Sequence, residues 1–447
     1  MDVAGKHIAV LGLARSGESV ARLLSSKGAK ITVLDSGNSE ALQARAAALR
    51  ESGITVLTGE DAVVSDQTFS TAVVSPGIDL ASRFAQQFSD RGIPLTGELE
   101  AAYQYCTRPV VAITGTNGKT TTTELIAAML NSAGQPTVAC GNIGLPFSEV
   151  VGEQQDSLNL VTLEVSSFQL ETISTFRPHI SLWLNLTPDH LDRYASMEEY
   201  RAAKLRIFEN QTTKDFAVCN AADDLPELVA QKITFSAYGL PADFTIADEA
   251  IAYRGEPVAR LDSFQLIGLH NIENLMAALA TGTALGLPFS ALLPALQAYR
   301  PSPHRCELVT TVDGVRYIND SKSTNVDSLA KALTLDPRKV ILIAGGKDKG
   351  FDFASLHSLI SEKVSAAILI GEMAERIRND WAAAAPCFLT SSLQEAVQKA
   401  HTLARTGDTV LFSPGTSSFD MFRDYADRGE QFRQAARNLS KLTPTAP

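Results

Sequence analysis

The residues of this chain most clearly suited to chemistry are Lys119 and Thr120, which directly follow the glycine-rich segment 115–118. An apolar, β-branched run at residues 110–113 predicts a buried strand before the segment, and an apolar-periodic helix follows it. Such a loop forms an anion site, in which N–H groups and the helix dipole face phosphate, lysine neutralises it and threonine can bind Mg²⁺. Ile113 stands where a phosphate loop usually has its first glycine. We therefore predict a shortened nucleotide-binding loop; the alternative is a simple turn before a capped helix.

Two further candidates follow the next apolar runs. Glu164 lies near the end of the run at residues 160–165, where a P-loop fold would place a Mg²⁺ ligand. A solvated glutamate at a strand end is the alternative. His190 follows the run at residues 180–185 and could reach the same site, although an isolated histidine in a loop more often belongs to the polar surface.

Lys204 occupies an unusual position in the predicted helical stretch 197–208. Apolar residues such as Tyr200 and Ile207 share one face of that helix, and Lys204 falls in the middle of the stripe. The residues alone favour snorkelling, in which the stem covers apolar surface and the amine stays in water. The alternative is a partly buried amine with a lowered pKa, which would be a reactive neutral nucleophile.

A glycine turn follows the first predicted strand. Residues 8–11 lead into Gly12 and Gly17, but the dinucleotide-binding fingerprint would place a second glycine where this chain has Ala14. Asp35 ends the next strand, near the spacing of the acidic residue that binds a ribose hydroxyl. The imperfect fingerprint leaves a bound nucleotide diphosphate and a bare tight turn equally open.

Short β-branched runs alternate with alanine-rich helical stretches along the chain, which is typical of parallel α/β sheets. Polar or glycine-rich residues follow nearly every run, and open α/β sheets bind ligands beyond the carboxyl ends of their strands. A length of 447 residues favours about three domains. A Pro-Ser-Pro linker starts at residue 301 and a weaker break falls near residue 97. We therefore predict domains at 1–97, 98–301 and 302–447.

Charge, apolar runs and cysteine content argue against several classes of protein. The net charge of −11 argues against a general nucleic-acid surface. No apolar run reaches transmembrane length, and the first residues lack the cleavage site of a signal peptide. Five scattered cysteines without a C-x-x-C pair predict reduced thiols in the cytoplasm, with neither disulfides nor a zinc site.

Nine motifs occur in a fixed order along essentially the whole chain: GTNGKT, GNIGLP, LEVSSFQL, TPDHLDRY, YRAAKLRIF, GLHNIEN, PHR, NDSKSTN and SPGTSSFD. As an ordered set they are highly specific. Through them the chain resembles the Mur ligases of peptidoglycan synthesis, and within that family the D-glutamate-adding branch. The resemblance implies an α/β protein with three domains. These are a Rossmann-like N-terminal domain that binds the UDP substrate, a central P-loop ATPase domain with a mostly parallel sheet, and a Rossmann-like C-terminal domain that closes on ATP and binds D-glutamate.

The resemblance also implies a reaction. UDP-N-acetylmuramoyl-L-alanine (UDP-MurNAc-L-Ala), D-glutamate and ATP give the UDP-linked dipeptide, ADP and phosphate through an acyl phosphate. It implies two Mg²⁺ ions and a CO₂-derived carbamate on Lys204. The expected partners are these small molecules, with no nucleic acid and no membrane insertion. We expect a cytoplasmic monomer that serves cell wall biogenesis, cell shape and cell division.

The resemblance assigns roles to residues that match its motifs. The implied ATP positions are Gly115, Thr116, Asn117, Gly118, Lys119, Thr120, Thr121, Asn274, Arg305 and Asp320. The implied metal positions are Thr120, Glu164, His190 and Lys204, of which the last three, together with Lys119, are the catalytic positions. The implied UDP-substrate positions are Ser16, Asp35, Ser36, Gly77, Asn142 and His190. The implied D-glutamate positions are Lys322, Thr324, Lys349, Ser418, Phe419 and Tyr425.

Other functions stay open from the sequence. A sister Mur ligase or a folylpolyglutamate-type ligase would use another amino acid, and the loops around Lys349 and Ser418 would decide. A nicotinamide-dependent oxidoreductase could be built on the turn at residues 12–17, although Ala14 and the phosphate loop weigh against it. A P-loop ATPase switch acting on a partner protein would leave both flanking domains without a role.

Overall fold

The computed structural model describes residues 2–63, 68–190, 193–266 and 268–442, so the ends of the predicted domains at residues 1 and 443–447 lie outside the described residues. The chain divides into two compact units. The first consists of residues 1–186, 198–265 and 272–299, and the second of residues 187–197, 266–271 and 300–447. Two of the three sheets belong to the first unit and one to the second.

The first sheet has five parallel strands in the order β3-β2-β1-β4-β5. Its strands are β1 (His7–Leu11), β2 (Lys30–Asp35), β3 (Thr55–Thr58), β4 (Thr71–Val74) and β5 (Leu95–Gly97). Its helices are α1 (Arg15–Ser26), α2 (Glu40–Glu51) and α3 (Arg83–Ser89). Strands β1 and β4 are almost wholly apolar because both faces of the sheet are covered. The strand order reverses between β1 and β4, and this is where open α/β sheets bind ligands.

The second sheet has nine strands in the order β14-β13-β12-β11-β10-β9-β6-β8-β7. The strands are β6 (Val110–Thr114), β7 (Ala139–Gly141), β8 (Val161–Glu164), β9 (Ile180–Trp183), β10 (Phe216–Asn220), β11 (Gln231–Phe235), β12 (Phe244–Ala247), β13 (Ala250–Tyr253) and β14 (Glu256–Arg260). The accompanying helices are α4 (Glu98–Tyr103), α5 (Lys119–Ser132), α6 (Phe147–Glu153), α7 (Ser167–Leu170), α8 (Met197–Leu205), α9 (Leu269–Ala284) and α10 (Phe289–Ala298). Only the pairs β12–β13 and β13–β14 are antiparallel.

The third sheet has six strands in the order β15-β16-β20-β17-β18-β19, and only β15 runs antiparallel to its neighbour. Its strands are β15 (Glu307–Val312), β16 (Val315–Asn319), β17 (Val340–Gly345), β18 (Val364–Ile370), β19 (Cys387–Leu389) and β20 (Thr409–Phe412). Its helices are α11 (Val326–Leu333), α12 (His357–Lys363), α13 (Ala374–Trp381), α14 (Leu393–Leu403) and α15 (Tyr425–Leu442). Separate apolar clusters cover its two faces.

The predicted α/β class with mostly parallel sheets is confirmed. Every apolar run used above overlaps a strand, and the helix before the Pro-Ser-Pro linker ends at Ala298. The domain limits at residues 97 and 301 stay predictions. Gly97 is the last residue of β5, and residue 301 lies between α10 and β15. Within the described ranges, no helix is long and apolar enough to cross a membrane.

Candidate active site

The segment 115–118 connects β6 to α5 and has the shape predicted for a phosphate loop. Gly118 precedes the helix in a left-handed conformation, with φ of 84°. A Cβ atom there would lie 2.5 Å from Oδ1 of Asn274, so only glycine fits without a shift. The Thr122 hydroxyl donates to the same oxygen at 3.1 Å. The structure therefore brings Asn274 of α9 against the loop. Thr120 and Thr121 lie in the first turn of α5.

Asn185, which was not singled out from the sequence, holds the loop from the end of β9. Its Oδ1 accepts a hydrogen bond from the Asn117 amide at 2.8 Å, and its Nδ2 donates to the Asn117 carbonyl at 3.0 Å. The amide of Thr116 donates to the carbonyl of Asn185 at 2.9 Å. The only sequence signal for this role was a polar residue at the end of an apolar run.

Two lysines converge on one carbonyl oxygen of the loop. Lys119 Nζ donates to Gly115 O at 2.9 Å and to Thr116 O at 2.8 Å. Lys204 Nζ donates to the same Gly115 oxygen at 2.8 Å and lies 4.8 Å from the centroid of the Tyr200 ring. Lys204 is only 1% exposed. The snorkelling interpretation is therefore wrong, because the amine as well as the stem is buried.

Glu164 ends β8 and has one carboxylate oxygen available for a ligand. Its Oε1 accepts from Asn142 Nδ2 at 2.8 Å, which places the otherwise exposed Asn142 beside it. Its Oε2 is buried and has no hydrogen-bond partner among the described residues. Leaving a buried carboxylate oxygen unpaired is unfavourable, and Mg²⁺ prefers oxygen ligands, so Glu164 fits the predicted metal position.

Among the described residues, His, Cys, Asp and Glu side chains alone would not supply all the ligands of a metal ion at Glu164. The described part of the chain contains no group of three or more His, Cys, Asp or Glu side chains that could hold a metal ion. A metal ion at Glu164 would therefore draw its other ligands from hydroxyl, phosphate or water oxygens, or from a modified side chain.

The turn after β1 is rigid and is held by Asp35. The Asp35 carboxylate accepts from the amide of Leu13 at 2.7 Å and from that of Gly37 at 2.8 Å. A Cβ on Gly17 would lie 1.9 Å from the Gly12 carbonyl oxygen, so helix α1 can approach β1 only with glycine there. Among the other predicted UDP positions, Ser16 is half-buried, whereas Ser36 and Gly77 are exposed.

In the second unit, the carboxylate of Asp189 lies at the centre of a polar cluster. Its Oδ1 accepts from Lys349 Nζ at 3.2 Å and from the His190 amide at 2.8 Å. Its Oδ2 accepts from Asn325 Nδ2 at 3.1 Å and lies 3.9 Å from His190 Nε2. Burial would raise the pKa of Asp189, but the charges of His190 and Lys349 and the hydrogen bonds outweigh it, so the pKa is lowered. His190 itself has a positive φ of 57°.

Asp320, a predicted nucleotide position, is buried and strongly held. Its carboxylate accepts from the Cys306 amide at 3.2 Å and from the Ser413 hydroxyl at 2.8 Å. The pKa of Asp320 is raised from 3.8 to about 6, because the effect of burial exceeds the opposite effect of these hydrogen bonds and of nearby Arg305. Arg305 is half-buried.

The predicted D-glutamate positions differ in their surroundings. Lys322 Nζ lies 3.8 Å from the centroid of the Tyr425 ring, so the structure brings these two together. Lys349 is paired with Asp189, as described above. Ser418 is buried and Thr324 half-buried, whereas Phe419 is 66% exposed.

Arg428, also not singled out from the sequence, holds the loops that carry several of these residues. Its guanidinium is fully buried and donates to Ser321 Oγ at 3.0 Å, to Ser321 O at 2.8 Å and to Thr416 O at 3.0 Å. Burial lowers its pKa to about 9, although Asp420 and Asp320 oppose this shift. No periodic or motif signal pointed to it, because its partners Thr416 and Ser321 lie 12 and 107 residues away in the chain.

Three family models match the chain. They are described as the Mur ligase MurD-like N-terminal domain, over residues 6–97, the Mur ligase middle domain, over 113–282, and the Mur ligase glutamate ligase domain, over 304–416. The UDP-N-acetylmuramoylalanine–D-glutamate ligase of Geobacter metallireducens is 43% identical, over 98% of this chain and 99% of the relative. The ligase of the same name from Geotalea uraniireducens is 42% identical over the same shares.

A solved structure shows the same fold. The crystal structure of UDP-N-acetylmuramate–alanine ligase from Thermotoga maritima matches with a TM-score of 0.63, covering 97% of this chain and 100% of that chain. The sequence identity is 18%, so this likeness concerns the fold alone.

Proposed function

The chain belongs to the Mur ligase family, and we propose that it joins D-glutamate to UDP-MurNAc-L-Ala in an ATP-dependent, ADP-forming reaction of peptidoglycan precursor synthesis. The observation that carries the proposal is the identity of 43% to a D-glutamate ligase over 98% of the chain. The loop at residues 115–118 and the buried Glu164 supply the phosphate chemistry that such a reaction needs. This family assignment replaces the oxidoreductase and ATPase-switch interpretations.

The chemistry explains why a phosphate loop is needed to form an amide. A carboxylate is a poor electrophile. One of its oxygens therefore first takes the γ-phosphoryl group of ATP, so that ADP leaves and the carboxylate becomes an acyl phosphate. The amine of D-glutamate then attacks the carbonyl carbon and phosphate leaves. The phosphoryl step depends mainly on positioning and charge neutralisation. Lys119 and the loop amides provide both, and Asn274 and Asn185 fix the loop.

The oxygen ligands of the first unit fit Mg²⁺. Glu164, through its unpartnered Oε2, and Thr120 are the proposed ligands of one ion. Lys204 as a carbamate is proposed as a ligand of a second ion. The metal role of His190, which lies in the second unit, rests on the resemblance alone. When bound, Mg²⁺ neutralises phosphate charge, which assists transfer of the phosphoryl group.

Carbamate formation at Lys204 fits its surroundings. The neutral amine attacks CO₂, a C–N bond forms, and one proton leaves to give an anionic carbamate. A buried lysine that shares one acceptor with Lys119 has a like charge close by, and the carbamate removes that repulsion. It also supplies anionic oxygens, which suit a hard metal ion.

The three predicted segments divide the remaining roles. Residues 1–97 are proposed to hold the UDP moiety at the switch point of the first sheet, and residues 302–447 to bind D-glutamate. The proposed substrates are small molecules, and we propose that the enzyme acts on them in the cytoplasm as a monomer.

ADP release tests the substrate assignment. The enzyme is assayed with ATP, Mg²⁺ and UDP-MurNAc-L-Ala against a panel of amino acids of both chiralities. We expect ADP release with D-glutamate and little with L-glutamate or L-lysine. Release with a different amino acid alone would identify a sister ligase, and release with none would overturn the ligase assignment.

A further inference from the structure

Asp189 is the only carboxylate described above that is shared by a predicted amino-acid-binding lysine and a loop histidine. It follows Thr187-Pro188 in the segment 187–197, which belongs to the second unit although neighbouring parts of the chain belong to the first. The residue is 6% exposed, and each of its oxygens has a donor within 3.2 Å. Asp189 lies in the motif TPDHLDRY, but neither the resemblance nor the proposed function gives it a role.

The Lys349 ammonium needs a negatively charged partner such as Asp189. Its side chain is 17% exposed, and its Nζ lies 3.2 Å from Asp189 Oδ1. A largely buried ammonium without a counter-charge is strongly unfavourable, and a lysine side chain has four flexible bonds. Without Asp189, the ammonium would therefore turn toward solvent and lose its fixed position.

Asp189 is itself fixed by groups other than Lys349. The amide of His190 and Nδ2 of Asn325 donate to its two oxygens. Asn325 is anchored in turn, because its Oδ1 accepts from the Ser328 amide at 2.9 Å as the N-cap of α11. The carboxylate is thus a rigid point that connects α11, the His190 segment and the Lys349 loop.

An ammonium has three protons, so Lys349 can keep its contact with Asp189 while it donates to a substrate carboxylate. Pre-organisation of this kind lowers the entropy lost on binding. We propose that Asp189 is a positioning residue of the amino-acid site: it holds the Lys349 ammonium where the D-glutamate carboxylate binds. This inference rests on the proposed function, which assigns D-glutamate to residues 302–447, and on the resemblance, which places Lys349 among the D-glutamate positions.

A double-mutant cycle tests the inference. Asp189→Asn keeps the shape of the side chain and removes the charge that holds Lys349. We expect kcat/KM for D-glutamate to fall about tenfold, through KM, while the KM values for ATP and UDP-MurNAc-L-Ala stay within about twofold. In a Lys349→Met background, the same change should alter kcat/KM for D-glutamate less than about twofold, because there is no ammonium left to position.

Two further variants complete the design. Asp348→Asn removes an exposed carboxylate of the same loop, which pairs with Arg376, and should change nothing. Asn325→Ser keeps a helix-capping side chain but removes the amide that donates to Asp189. It should raise the KM for D-glutamate in the same direction as Asp189→Asn, and it serves if Asp189→Asn does not fold.

The outcomes distinguish a failure of the positioning role of Asp189 from a failure of the proposed function. A lower KM for D-glutamate in Asp189→Asn would overturn the inference, because Asp189 would then compete with substrate. Equal effects with and without Lys349, or equal effects on ATP, would overturn it as well. If the proposed function is wrong, the wild-type enzyme will not release ADP with D-glutamate, and this is seen before any variant is measured. If the wild type uses another amino acid, the same cycle is measured with that one.

Discussion

Lys119 and Lys204 both donate to the Gly115 carbonyl oxygen, at 2.9 and 2.8 Å, so two side chains that are normally cations share one acceptor. The spacing of apolar residues placed Lys204 on a buried stripe but could not show whether the amine reached water. That depends on Gly115 and Tyr200, which only the fold brings to it. The same limit applies to Asp189, because its partners Lys349 and Asn325 lie more than a hundred residues away in the chain.

Lys204 should act as an anion. Lys204→Ala should fold but lose about a hundredfold or more in kcat, because a charge at the phosphate site is missing. Acetate or formate should restore part of the activity by occupying the vacated position. Lys204→Arg keeps a positive charge and should be as inactive as the alanine variant. Carbon-13 NMR with labelled bicarbonate should show a carbamate signal in the wild type only, and an active Lys204→Arg enzyme would refute the modification.

Lys119 should be required for ATP turnover. Lys119→Ala removes the cation of the phosphate loop and should lower the rate of ADP release by several orders of magnitude, as in other phosphate clamps. Lys214→Ala, at an exposed position, is the control and should leave the rate unchanged. Retention of most activity by Lys119→Ala would remove the basis of the nucleotide site.

Burial of Asp320 should make stability depend on pH. Its pKa is raised to about 6, so the folded state binds a proton that the unfolded state releases above pH 4. The contribution of Asp320 to stability is therefore full below about pH 4 and falls as pH rises to about 6, by an amount on the order of 3 kcal/mol. Urea unfolding of ligand-free protein between pH 4 and 7 should show this loss in the wild type and not in Asp320→Asn. Parallel pH profiles for the two proteins would contradict it.

At the scale of elements, the strands that the sequence predicted are continuous apolar runs in the interior of a sheet. Some of the strands that it did not predict have physical reasons for a weak signal. Strands β5, β7 and β19 have three residues each, and β14 is half-exposed. The phosphate loop could be recognised because its function depends on local backbone geometry. The supporting contacts of Asn185 and Arg428 are not local, so spacing could not reveal them.

The junction of loop and helix at Gly118 should be sensitive to a single methyl group. Gly118→Ala forces an L-residue into φ of 84° and places Cβ 2.5 Å from Asn274 Oδ1. We expect kcat/KM for ATP to fall about tenfold or more, since the loop must shift. Gly134, just after the same helix, also has a positive φ of 73° but no neighbour within 4 Å of a Cβ. Gly134→Ala should therefore lower stability by about 1 kcal/mol without affecting ATP kinetics, and equal kinetic effects would contradict the steric explanation.

At the scale of the whole molecule, three mostly parallel sheets follow one another along the chain, and the alternation of strands and helices predicted sheets of this kind. The division into compact units is less regular, because residues 187–197 and 266–271 belong to the second unit. Domain boundaries placed at linkers in the sequence cannot show that short segments within one predicted domain belong to another compact unit. The proposed amino-acid site would gain Asp189 in this way, from a segment that the sequence assigned to the central domain.

The central claim is that one molecule activates a carboxylate with ATP and then forms an amide. Oxygen-18 in the carboxylate of UDP-MurNAc-L-Ala tests it most directly, by mass spectrometry of the phosphate released with D-glutamate. An acyl phosphate intermediate requires the phosphate to leave with one oxygen of the carboxylate, so each phosphate should carry one labelled oxygen. Formation of the amide together with unlabelled phosphate would contradict the account.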